Sequence, residues 1–114
     1  MAARQGIADL YMDERIIDYI VSIVHATRFP AEAGLKDLAP LIEFGASPRA
    51  TLSLAQASRA HAFLRERAFV TPDDVKAIAP DVLRHRVLTT YEAEAEEVTS
   101  DAIVSRILAA VAAP

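Results

Sequence analysis

Gly45-Ala46-Ser47-Pro48-Arg49-Ala50 opens the longest apolar helical stretch of the chain, and the stretch that follows it sets the fold. Ser47 is a good N-cap, because its hydroxyl can accept from a free backbone N–H one turn in. Pro48 suits the first helical position, where a missing N–H costs nothing and φ is already helical. Gly45 lets the chain bend sharply just ahead of the cap. Arg49 then falls in the first turn, where the helix dipole mildly disfavours a cation. Two readings fit these six residues: a capped helix whose second residue is arginine, or an anion site built from a guanidinium beside free N–H groups.

From Pro48 the periodicity predicts a helix to about Arg65, with Ala50, Leu54, Ala57, His61 and Leu64 on one stripe and small residues beside it. His61 on that stripe reads as a satisfied core or boundary histidine. Upstream, Asp13 caps a predicted helix to about Arg28. Its stripe is Ile16, Ile20, Ile23 and Val24, widened by Ile17 and Val21, and Pro30 ends it. His25 is a last-turn residue that suits the dipole. Residues 1–12 read as the end of an approach segment, and 13–114 as one helical domain.

Residues 29–46 form a long connection punctuated by Pro30, Gly34, Pro40 and Gly45. Leu35, Leu38, Leu41, Ile42 and Phe44 make it apolar enough to pack down, with a short turn near 36–43. Downstream, Thr71-Pro72-Asp73-Asp74 is a second strong helix start, and its capping role accounts for both acids without a metal. Pro80 kinks that helix or starts another. Tyr91 through Glu97 predicts a short acidic helix, and Thr99-Ser100-Asp101 caps a last one to about Val111. The fold expected is all-α, a compact bundle of about four to five helices.

The chain has 114 residues, 53% hydrophobic, with a net charge of −4 and no cysteine. That length buries a real core without disulfides. The lack of cysteine removes thiolate metal sites and thiol catalysis, and fits a reducing cytoplasm. No apolar run approaches the ~20 residues that span a bilayer, so no membrane partner is expected. The acidic total argues against nucleic acid. Charge is uneven, however: residues 49–86 carry seven basic against four acidic side chains, and the segments on either side are both acidic.

The six opening residues resemble the "GaSPRa" element of MoxR-type AAA+ ATPases. Tyr19-Ile20-Val21 with Thr27-Arg28 is similar to that family's "dYiv…aTR". Arg67 through Val75 resembles "R-x-[YF]-V-T-P-x-D-V", and Val82-Leu83-Arg84-His85-Arg86 resembles "vLrHRi". Each piece is weak alone; four in the right order are fairly specific. The likeness runs from about residue 9 to residue 111 and covers only the family's small C-terminal lid.

The resemblance implies that Arg49 is the second-sensor arginine reading the ATP γ-phosphate, with Ser47 and Pro48 shaping the helix start. It implies that Arg84, His85 and Arg86 lie at a junction with the large ATPase domain or a neighbouring subunit. It further implies chaperone-like remodelling in hexameric rings, ATP and Mg²⁺ held mainly by an upstream domain, and von Willebrand factor A-domain partners. The family usually has glycine where Glu66 stands, so the helix before it is expected to run a residue or two longer.

The chain has no G-x-x-x-x-G-K-[ST] loop and no apolar strand ending in acids, so it should not hydrolyse ATP by itself. The rival readings are a stand-alone helical protein-interaction module and, weakest, a small helical nucleic-acid binder.

Overall fold

A computed structural model describes residues 10–114. Five α-helices lie among them: α1 (Glu14–Arg28), α2 (Arg49–Leu64), α3 (Pro72–Leu83), α4 (Tyr91–Ala95) and α5 (Ser100–Ala110). The helical bundle is therefore as expected. The sequence did not predict its two-stranded antiparallel ribbon, β1 (Ile42–Phe44) with β2 (Leu88–Thr89), in which Ile42 faces Thr89 and Phe44 faces Leu88. Residues 1–9, most of the expected approach segment, lie outside the description. Its last residues are docked: Met12 is buried, and the Val70 amide donates to the Tyr11 carbonyl at 3.0 Å.

α1 starts where the Asp13 carboxylate accepts from the Arg15 amide at 2.8 Å. Ile16, Tyr19, Ile20, Ile23 and Val24 face inward, whereas Ile17 and Val21 are exposed, so the buried stripe is narrower than predicted. Two 3-10 helices, Pro30–Ala33 and Lys36–Leu41, fold the connection down and bury Leu35, Leu38 and Leu41. Phe44 was expected to pack with them; it is exposed at the ribbon instead.

α2 packs most extensively on α3. Its buried positions are Ala50, Leu54, Ser58 and Ala62, a strict four-residue repeat. Leu64, predicted to face inward, is 80% exposed, because the repeat carries the buried face away from it. Buried Ser58 satisfies its hydroxyl on the Leu54 carbonyl at 2.6 Å. α3 runs through Pro80 to Leu83 without a second start. Thr90 and Thr99 cap α4 and α5, accepting from the Ala93 and Ala102 amides. Ile103, Val104 and Ile107 close the core.

α2 ends at Leu64, not beyond it. Glu66 takes the left-handed conformation at φ 59°, the Arg67 amide reaches the Ala62 carbonyl at 3.0 Å, and the Glu66 amide reaches Phe63 at 3.0 Å. This is a full Schellman stop, with glutamate doing what glycine does more cheaply. Two paired carbonyls outweigh the conformational penalty.

Candidate functional site

The mouth of α2 is positioned by the end of α1. Thr27 is fully buried; its hydroxyl donates to the Val24 carbonyl at 2.6 Å and accepts from the Ala46 amide at 2.9 Å. Gly45 lies against the same turn. A Cβ on it would stand 2.3 Å from the Thr27 carbonyl oxygen and 2.8 Å from the Arg28 Cα. The glycine is needed for close approach of two backbones, not for a sharp bend. Ala46 and Ala50, both fully buried, complete the seat. Thr27-Arg28 and Gly45-Ala46, far apart in the sequence, are one joint.

Ser47, Pro48 and Arg49 leave this joint on the outside, and all three are exposed. Pro48 has helical dihedrals (φ −56°, ψ −23°) and immediately precedes the helix. The first turn is closed by carbonyls, the Ala50 amide donating to Ser47 at 2.9 Å and the Thr51 amide to Pro48 at 3.1 Å. Among the described residues the Ser47 hydroxyl makes no capping bond, so its predicted role passes to its carbonyl. Arg49 has no hydrogen-bond or ion-pair partner among the described residues. Arg15, Arg67, Arg84 and Arg106 each have a carboxylate.

The basic triplet after α3 divides. Arg84 is committed inside the fold: its guanidinium meets Asp101 at 2.8 Å and Asp81 at 3.3 Å, and its carbonyl accepts from the Ser100 hydroxyl at 3.0 Å. Its pKa is raised, chiefly by the Asp101 hydrogen bond and charge. His85 is exposed. Arg86 reaches back to α2, donating to the Ser53 hydroxyl at 3.2 Å.

The far end of α2 holds a buried carboxylate. Asp74 forms a capping box with Thr71 and also accepts from His61 at 2.6 Å and from the Arg67 guanidinium. Burial pushes its carboxyl up, but the Thr71 amide, His61, the Thr71 hydroxyl and the Arg67 charge outweigh that and hold it below the ordinary value. Local capping found Asp74; the partners at positions 61 and 67 had no sequence signal. His61 is a satisfied boundary histidine, as expected. His25, exposed at the end of α1, meets Glu32 at 3.5 Å. No group of three or more His, Cys, Asp or Glu gathers among the described residues in a metal-holding arrangement. None of the described helices is long and apolar enough to cross a membrane. The exposed Arg49 guanidinium can meet one end of an anion.

A model of the AAA lid domain family matches residues 36–107. The chaperone MoxR1 of Mycobacterium tuberculosis is 42% identical over 107 residues, which is 94% of this chain and 28% of that protein. The protein MoxR of Paracoccus denitrificans is 36% identical over 102 residues, 84% of this chain and 30% of its own length. The crystal structure of a "putative ATPase" from Cytophaga hutchinsonii superposes with a TM-score of 0.93 at 41% identity, covering 96% of this chain and 33% of that one. The chain thus spans about a third or less of each of these relatives.

Proposed function

The chain belongs to the AAA lid domain family, in its MoxR-type form, and from that premise we propose that it senses nucleotide through Arg49. The observation that carries this reading is the guanidinium itself, exposed at the mouth of α2 with no carboxylate partner among the described residues. Such a group gains a charge-assisted bond only from an anion brought to it. The rigid joint at Thr27 and Gly45 keeps its backbone from drifting while it waits.

In the complete ATPase, the upstream domain of the same chain would hold ATP and Mg²⁺, the metal screening the phosphates and polarising the bond to be cut. Arg49 would meet the γ-phosphate and favour lid closure. A well-formed contact of this kind is worth roughly 1.5–3 kcal/mol, enough to shift a two-state lid about tenfold or more. When the γ-phosphate leaves, Arg49 loses its partner and the lid swings. Chaperone-like remodelling, a hexameric ring with neighbouring subunits, a cytoplasmic location and a von Willebrand factor A-domain partner belong to the same proposal, supported by likeness to MoxR proteins. Replacing Arg49 by Ala in the complete protein should leave helicity and melting temperature unchanged while impairing ATP turnover. Unchanged turnover in the folded variant removes Arg49 from the mechanism. For the isolated chain, ATP should shift the amides of residues 47–51 weakly.

A further inference from the structure

We propose that Arg86 is a second phosphate-facing cation, sharing with Arg49 the polyphosphate of a nucleotide gripped from the opposite side. This rests on the reading of Arg49 given above. Arg86 lies 33 residues from Ser53 in sequence, yet its guanidinium crosses to the Ser53 hydroxyl at 3.2 Å. Ser53 is four residues after Arg49, one helical turn along the same face. The contact therefore brings a second guanidinium over the face of α2 that bears Arg49.

The chemistry of that contact is unusual for a structural tie. A neutral hydroxyl satisfies one of the five donors of a guanidinium and none of its charge. Arg84, two residues earlier, shows what a structural arginine looks like here, with Asp81 and Asp101 both in reach. Arg86 has no carboxylate among the described residues and is exposed. Two like charges brought to one helix face repel. An anion between them would turn that repulsion into two charge-assisted bonds.

Ser53 acts as a strut: it holds the long side chain beside α2, so less side-chain freedom is lost on binding. Arg84 belongs to the fold and Arg86 to the ligand, although the two are sequence neighbours.

The test uses the complete ATPase as wild type, R49A, R86A, R86K and S53A, with ATP and ADP titrations over a range of salt and a melting curve for each. R86A is expected to weaken ATP binding about tenfold, the loss of one charged hydrogen bond, with its melting temperature unchanged. It should also flatten the salt dependence. R86K should recover part of the loss, because the charge remains, and S53A should cost about two- to threefold through looser positioning. Wild-type ATP binding in R86A, with R49A impaired, overturns the role of Arg86 and leaves that of Arg49 standing. Wild-type binding in both variants overturns the sensor reading itself. Impairment in R86A alone removes Arg49 and with it the shared anion. A loss in R86A that comes with a lowered melting temperature and no recovery in R86K makes the residue structural and overturns the proposal.

Discussion

Gly45→Ala is the sharpest test of how the mouth of α2 is built. The added carbon would lie 2.3 Å from the Thr27 carbonyl oxygen, 2.6 Å from the Thr27 carbonyl carbon and 2.8 Å from the Arg28 Cα. All three are backbone atoms in the last turn of α1, so no side chain can swing aside. Reaching an ordinary carbon–oxygen contact requires the two segments to separate by about 1 Å. That separation breaks the 2.9 Å bond from the Ala46 amide to the Thr27 hydroxyl and strands a buried donor. A stranded donor costs about 1–3 kcal/mol, and forcing apart a packed joint costs about 1–3 kcal/mol more. We therefore expect a loss of roughly 3–4 kcal/mol, or a fall of more than ten degrees in melting temperature for a chain of this size. Urea and thermal unfolding of the 114-residue chain measure it directly. In the complete protein the same change should blunt the response to ATP, because Arg49 moves with the joint. A melting temperature within two or so degrees of wild type would refute the close approach.

Glu66→Gly should stabilise the chain by about 0.5–1 kcal/mol, since glycine removes the left-handed penalty at φ 59° but has more freedom to lose on folding; Glu66→Val should destabilise it, and paired melting curves decide. Asp74→Asn should cost roughly 2–4 kcal/mol in urea unfolding, because it leaves Arg67 and His61 facing a neutral amide in a buried site. Asp74 also predicts an acid limb. Its folded pKa lies below the unfolded one, so its contribution is whole above about pH 4 and is lost as pH falls through the folded value. The urea midpoint should drop in that window, and Asp74→Asn should flatten this part of the profile. Arg84→Ala, by contrast, removes ion pairs whose acids are more than half exposed and should leave the melting temperature nearly unchanged.

What was legible in the sequence was what is local. Asp13, Thr71 and Thr99 announce their helices because a cap and its amide lie two or three residues apart, and the short-range signal survives any tertiary context. Contacts that join distant segments were not legible. Thr27 and Ala46 are 19 residues apart, and Arg86 and Ser53 are 33 apart; spacing along the chain carries no trace of either. The ribbon was missed because strands of three and two residues are too short to show an alternating pattern. On α2, steps of four and three put Leu64 inside, whereas close packing against α3 follows the small residues at steps of four. At Glu66 the expectation of a longer helix follows from the missing glycine, while two carbonyls awaiting partners decide its conformation. The exposed start of α2 was legible because Ser47, Pro48 and Arg49 are neighbours both in sequence and in space.

α2 is a rod of 16 residues, about 24 Å long, with Arg49, unpartnered among the described residues, at one end and the Asp74 cluster at the other. The strand-like bridge from Tyr11 to Phe69 and Val70 ties the incoming chain to that second end. Because the joint at Thr27 and Gly45 locks the arginine end to α1, a tilt has to carry the two helices together; one of about 10° pivoting on the buried carboxylate would sweep the guanidinium through about 4 Å, more than a hydrogen bond's length. On the proposed reading the bundle is thus geared like a pointer: a slight tug where the polypeptide comes in would decide whether its tip meets an anion or misses it.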